Sequence, residues 1–244
     1  MGRRRFFVQR VEGLRAVLDG EAAEHLRRVL RAQPGERYEL SDNRAVYLAE
    51  VEGFGRGQVL FRVLEQLPAE QPPLRLALAA ALVKFDRFEW MIEKATELGV
   101  ERITPVVAAR SEKGLEQGAA KRLERWRRIA VQASQQARRA HLPEINPPLA
   151  FDQALAQPSG WRFFLDENRT GAPLLGALPA IDDRRPGDTV ALLVGPEGGW
   201  TEPERLAAVE AGWRTVSVGC FVLRAETAAM AAAAVLLNAW LARA

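Results

Sequence analysis

Residues 195–201 read Gly-Pro-Glu-Gly-Gly-Trp-Thr and leave directly from the apolar run Val190-Ala191-Leu192-Leu193-Val194. Glycine lets a backbone come close to a bound group, and open α/β sheets take their ligands outside the carboxyl ends of their strands. The loop is neither of the common phosphate cradles: it lacks the lysine and hydroxyl of G-x-x-x-x-G-K-[ST], and it lacks G-x-G-x-x-G. Glu197, in the middle of it, would repel an anion and complement a ligand carrying positive charge. A sulfonium compound is such a ligand. The plain alternative is a tight connection between a strand and a helix. Thr201 and Glu204 have the T-x-x-E spacing of a capping box, with Pro203 inside the first helical turn, so the order is strand, glycine loop, helix. A second stretch leads from a strand end, Val216-Ser217-Val218-Gly219, through Cys220-Phe221-Val222-Leu223-Arg224 into Ala225-Glu226-Thr227-Ala228 and an alanine-rich helix.

Taken together and in this order, G-P-E-G-G and V-G-x-x-V-L-R-x-E-T-A resemble the RsmE family of SPOUT-class RNA methyltransferases. Residues 84–105, K-F-D-R-F-E-W-M-I-E-K-A-T-E-L-G-V-x-x-I-x-P, resemble the same family, with Phe85 standing where glycine is expected. Gln132, Gln135, Gln136, Arg138 and Arg139 ahead of Pro143 match its glutamine-arginine segment. The resemblance implies an α/β fold: a SPOUT-type parallel sheet with a C-terminal trefoil knot, preceded by a small PUA-like β-barrel. It implies S-adenosylmethionine as methyl donor and N3 of a uridine in 16S (small-subunit) ribosomal RNA as acceptor. The partners it implies are ribosomal RNA or the small ribosomal subunit, and a second copy of the chain joined through the last helix.

The donor pocket is expected at three strand-end loops: Leu165 and Glu167; Val194, Gly195, Pro196, Gly198 and Gly199; and Val218, Gly219, Phe221, Val222 and Leu223. Gly195 and Gly198 would allow close approach, and Asp166 and Glu167 would reach the ribose or the methionine amine. Arg224 is the leading catalytic candidate, orienting the uracil or stabilising its anion; a guanidinium is too weak an acid to serve as the base. Glu197 and Glu226 are candidate proton acceptors, with helix capping or loop fixing as the equal alternative.

Two other classes compete. An RNA-binding module without chemistry would keep the arginines but has no need of the two loops, and an enzyme using a nucleotide cofactor would need a phosphate cradle that is not apparent.

The chain has 244 residues and a net charge of +3, 48% of it hydrophobic and 27% charged, which suits a globular protein with a sizeable core. Cys220 stands alone, excluding an intrachain disulfide, and His25 and His141 lie far apart with no cysteine pair nearby, so no metal site is expected. Without a leader-like or membrane-spanning stretch, the expected setting is the cytoplasm.

Basic residues gather in two places: seven against one acid across residues 121–139, and Arg3, Arg4, Arg5, Arg27, Arg28 and Arg31 near the start. Arginine suits phosphate recognition, with a solvated helix face as the alternative. The RNA contacts expected are those six together with Arg138 and Arg139. His25 reads as helix packing ahead of RNA contact.

The elements that must hold these residues follow in order. Residues 1–70 carry a helical stretch at 21–31 and strand-like runs at 37–40, 44–51 and 58–64, the expected RNA-binding barrel. Residues 67–73, with three prolines, read as a stiff linker. The methyltransferase domain is expected over 74–244. It opens with a buried strand at 74–83 and a helix that the D-x-x-E of Asp86–Glu89 would cap and Gly99 would stop. A strand at 100–107 completes a βαβ unit and hence a parallel sheet. A helix over 119–140 would bury Leu123, Trp126, Ile129, Ala130, Ala133 and Ala137. Strands at 161–165, 190–194 and 215–218 follow, and the alanine-rich helix 226–241 should be buried.

Overall fold

A computed structural model describes residues 4–168 and 171–242. By their contacts these form two units. One comprises the N-terminal region through Gln71 together with Val131–Leu142; the other comprises Pro72–Ala130 and the region from Pro143 onward.

The first unit is a six-stranded sheet in the order β1-β4-β5-β6-β3-β2, from β1 (Arg5–Phe7), β2 (Val11–Glu12), β3 (Arg15–Leu18), β4 (Arg37–Ser41), β5 (Val46–Phe54) and β6 (Val59–Leu67). Pairing is antiparallel except between β1 and β4. Along β6, Val59, Phe61 and Val63 are buried and the residues between them face out, the two-residue period of a sheet with one dry face. Two register shifts in β5, at Leu48/Ala49 and Val51/Gly53, bend the sheet around a core that includes Phe6, Leu26, Leu40 and Phe61. The helical stretch expected at 21–31 is shorter and less regular: α1 (Gly20–Glu24) passes into a π-helical turn, His25–Val29, and Arg31 turns left-handed at φ 52°. The wider turn buries Leu26 and leaves His25 exposed, so the packing role expected of that histidine is corrected.

Val131–Leu142 joins this unit, although the sequence reading placed it wholly in the second domain. The register of β1 on β4 sets Arg5 beside Glu39, and Nε and Nη2 of Arg5 donate to Glu39 Oε2 at 3.1 and 2.8 Å. Arg5 Nη1 also donates to the carbonyl of Arg138, and Arg138 Nη2 donates to Glu39 Oε1 at 2.5 Å. Ser41 Oγ donates to the Ala140 carbonyl at 2.6 Å, and Leu142 N donates to Asn43 Oδ1 at 2.7 Å.

The second unit is a parallel sheet in the order β10-β8-β7-β13-β11-β14-β12, with β9 also on β8. Its elements are β7 (Arg75–Ala81), α2 (Phe85–Leu98), β8 (Arg102–Val107), α3 (Leu115–Gln136), β9 (Glu144–Ile145), β10 (Leu149–Ala150), α4 (Phe151–Leu155), β11 (Trp161–Leu165), β12 (Ala172–Pro173), α5 (Leu174–Ala177), β13 (Thr189–Val194), α6 (Glu202–Glu210), β14 (Arg214–Ser217) and α7 (Ala225–Leu241). The last residues of α3, from Val131, belong to the first unit. Alternate residues of the apolar strands serve two cores. Val190, Leu192 and Val194 lie in the one that includes α2 and α7, while Ala191 and Leu193 lie in the one that includes Trp200, Phe164 and Trp213. Burial on both faces is why these strands read as unbroken apolar runs.

Three local expectations are corrected. Helix α2 starts at Phe85 with Lys84 at its N-cap and no side-chain cap, so Asp86 sits inside the first turn. Helix α3 ends at Gln136, leaving Ala137 exposed beyond it. Strand β14 stops at Ser217, one residue short of Val218. Gly99 does end α2, in a left-handed conformation at φ 106°.

Phe85 occupies space that its neighbour leaves free. A Cβ on Gly118 would lie 2.6 Å from the Phe85 ring, and the Arg122 guanidinium sits 4.4 Å above that ring.

Candidate active site

Strand β11 lies between β13 and β14, with Leu165 level with Val194 on one side and Val216 on the other. Parallel strands of matched register deliver their following loops to one edge. Those loops enclose a hollow open to solvent.

The glycine-rich loop is held from three sides. Trp200, fully buried, donates from Nε1 to the Leu165 carbonyl at 2.9 Å, fastening the loop after β13 to the end of β11. A Cβ on Gly195 would lie 2.8 Å from the Trp200 ring nitrogen. Arg110 Nη1 donates to the carbonyls of Gly198 and Trp200 at 2.9 and 3.2 Å, and a Cβ on Gly198 would press on Arg110 at 3.2 Å. Glycine at 195 and 198 therefore makes room for protein side chains, and of the two only Gly195 also lines the hollow. At the helix start the capping box forms as read: Thr201 N donates to Glu204 Oε2 at 2.8 Å, and Glu204 N donates back to Thr201 Oγ1 at 3.4 Å. The other oxygen, Glu204 Oε1, accepts from Ala109 N at 2.8 Å.

Most of the residues assigned to donor binding line the hollow: Leu165, Glu167, Val194, Gly195, Pro196, Gly199, Val218, Phe221, Val222 and Leu223, with Glu197 beside them. Gly198 faces Arg110, and Gly219, at φ 76°, turns the last loop without lining the wall. Ser217, Ala225 and Ala228 line it as well and escaped the sequence reading. Their signal was available, since residues 225 and 228 share a helix face and are small enough to leave space.

Asp166 is 3% exposed and is held by Arg205 of α6, whose Nε and Nη2 donate to its two oxygens at 3.0 and 3.2 Å. Its carboxylate thus fixes the loop after β11, and Asp166 also lines the hollow. Hydrogen bonding to Asp166, ahead of the opposing effect of burial, holds the Arg205 guanidinium pKa above its ordinary value. Glu167 accepts from Arg205 Nη2 at 2.6 Å and keeps its place on the wall.

Arg224 is the N-cap residue of α7, exposed, with no ion pair or hydrogen bond from its side chain among the described residues. Glu197 pairs with Arg87 in the first turn of α2, and Arg87 Nε also lies 4.0 Å from Glu226 Oε1. The helical period of residues 84–105 is plain in the sequence, but nothing in it marks Arg87 for a role.

The arginines assigned to RNA divide by their surroundings. Arg5 is 9% exposed and engaged with Glu39 and Arg138, so it braces the first unit and is withdrawn as a phosphate contact. Arg138 takes part in the same cluster, and Arg139 Nε donates to the His141 carbonyl at 3.1 Å. Arg27 and Arg28 are exposed beside Glu24, whereas Arg4 and Arg31 are exposed with no side-chain hydrogen bond or ion pair among the described residues. Arg3 lies outside the described residues. On α3, Arg122 and Arg125 both bind Glu89 of α2, at 3.0 and 2.8 Å, which removes much of the bare positive charge expected of that helix.

The chain matches two family models: an RNA methyltransferase domain over residues 70–237 and an RNA methyltransferase PUA domain over residues 18–64. They define an RNA methyltransferase that carries its own PUA domain. A ribosomal RNA small subunit methyltransferase E from Synechocystis sp. is 36% identical over 84% of this chain and 66% of its own length. The protein of that name from Mycobacterium bovis is 34% identical over 93% of this chain and 89% of its own length. The crystal structure of one from Neisseria gonorrhoeae, bound to S-adenosyl methionine, superposes with a TM-score of 0.85 at 30% identity, covering 98% of each chain. The chain belongs to the ribosomal RNA small subunit methyltransferase E family.

Proposed function

We propose that this protein transfers the methyl group of S-adenosylmethionine to N3 of a uridine in small-subunit ribosomal RNA. The observation that carries the reading is the matched register of three strands, with Leu165 level with Val194 and Val216, whose following loops surround one hollow in a chain of this family. The residues present suit the donor. Glu167 and Glu197 on the wall complement its positive charge, the apolar Val218 to Leu223 segment offers a surface for a purine, and no phosphate cradle competes.

The donor, when bound, would supply an electrophilic methyl: its S–C bond would break with the electron pair kept by sulfur, the N3–C bond would form, and the N3 proton would pass to a carboxylate, for which Glu197 and Glu226 are the candidates. The protein's part is placement and charge. Arg224 steadies the uracil as N3 loses its proton: it stands in the chain between the wall residues Leu223 and Ala225, and its side chain is exposed with no hydrogen bond or ion pair among the described residues. Glu197 is proposed as the acidic partner on the pocket wall. Because N3 lies on the Watson–Crick edge, the target base must be unpaired or extruded.

The PUA-type unit supplies the RNA grip through exposed arginines, Arg4 and Arg31 first, and we assign the enzyme to the compartment that holds its ribosomal RNA, the cytoplasm. Thr227, Met230, Ala231, Ala234, Asn238 and Leu241 form a partly open stripe along α7, and we assign it to a homodimer contact.

Calorimetric titration with S-adenosylmethionine, followed by mass mapping of ribosomal RNA from cells lacking the gene, tests the reading. Saturable heat and the loss of one methyluridine are expected. The absence of heat, or an unchanged methylation pattern, would overturn it.

A further inference from the structure

One guanidinium serves two carboxylates where three elements meet. Arg87 comes from the first turn of α2, Glu197 from the glycine-rich loop, and Glu226 from the first turn of α7. Glu197 lines the hollow, with its side chain 42% exposed. The Glu226 side chain is 11% exposed, and its Oε2 is buried with no hydrogen-bond partner among the described residues. A buried carboxylate left with an unmet oxygen depends on nearby positive charge, and Arg87 is the cation whose contact with it the structure records, at 4.0 Å. The cluster bridges the two signature segments: Glu197 belongs to G-P-E-G-G, and Glu226 follows Arg224 by two residues.

The charge count has a consequence for ligand choice. One guanidinium against two carboxylates leaves this cluster with a single net negative charge, and Glu197 brings it to the pocket wall. The methyl donor has a positive sulfur and the demethylated product a neutral one; the rest of the two molecules is the same. We infer that Arg87 is a positioning residue that sets this charge, holding Glu197 at the wall and tuning how strongly the pocket prefers the sulfonium donor over the thioether product. This rests on the donor reading given above.

The test is a pair of titrations, with S-adenosylmethionine and with S-adenosylhomocysteine, on the full-length wild-type protein, Arg87→Met and Glu197→Gln. The ratio of the two affinities isolates the charge on sulfur, because the extra methyl makes the same contacts in every variant. Arg87→Met is expected to raise the preference for the donor about fivefold, and Glu197→Gln to lower it by about the same factor, as befits charges several ångströms apart near a protein surface. A purely structural role would weaken both ligands together and leave the ratio unchanged, which would overturn the inference. If Arg87→Met fails to fold, the isosteric Glu197→Gln decides alone, and an unchanged ratio there sinks the idea. A wild-type protein that binds neither ligand would be a different failure, that of the donor site itself.

Discussion

At the residue scale the site depends on a few contacts between segments distant in the chain. Gly195 must be glycine because Trp200 packs where its Cβ would be, and the same indole ties the loop to β11. Gly195→Ala is therefore expected to destabilise the protein by about 1–3 kcal/mol, the usual range for overpacking, and to weaken donor binding, both measurable by thermal shift with and without ligand. Arg224→Ala is expected to abolish methyl transfer while leaving the melting temperature within a degree or two, because the side chain has no partner among the described residues. Unchanged turnover would end its catalytic assignment. The capping box of Thr201 and Glu204 was legible in the sequence because both partners lie within one helical turn. The Trp200–Leu165, Arg205–Asp166 and Arg87–Glu197 contacts were not, since no periodicity marks a partner 35, 39 or 110 positions away.

At the scale of elements, α2 and α3 are clasped by Glu89, which binds Arg122 and Arg125, and by Phe85 over Gly118. Hydrogen bonding from Arg125 holds the Glu89 carboxyl below its ordinary value of 4.5. A carboxylate whose folded pKa is depressed stabilises the fold above its unfolded pKa, and that contribution is lost as pH falls through the folded value. The melting-temperature gap between wild type and Glu89→Gln should thus be widest above about pH 5 and narrow progressively below 4.5. A gap that stays constant down to pH 3 would show that the clasp contributes nothing electrostatic. Phe85, where the family resemblance leads one to expect glycine, is accommodated by Gly118 one helix away, and Gly118→Ala should destabilise the wild type more than it destabilises Phe85→Ala.

At the scale of the whole molecule, the sorting of arginines separates grip from bracing. Arg4→Ala and Arg31→Ala should each reduce the salt dependence of RNA binding by close to one phosphate contact, roughly 0.7 in the logarithmic slope for a single strand. Arg5→Ala should instead loosen the first unit, because Glu39 would be left 5% exposed with Arg138 its remaining side-chain partner. Hydrogen exchange over Val131–Leu142 would report that loosening. Sequence by itself determined the strand, loop and helix order, the apolar runs of a parallel sheet, the capped start of α6 and the family. Each of these is written in near neighbours or in a short period of side-chain chemistry. The tertiary structure alone decided that Val131–Leu142 joins the first unit, that Arg5 is committed internally, that Asp166 is held by Arg205, and that Arg87 pairs with Glu197. Those outcomes depend on which charges the folded chain brings within hydrogen-bonding reach, and at that range burial decides whether a charge is a ligand's partner or the protein's own.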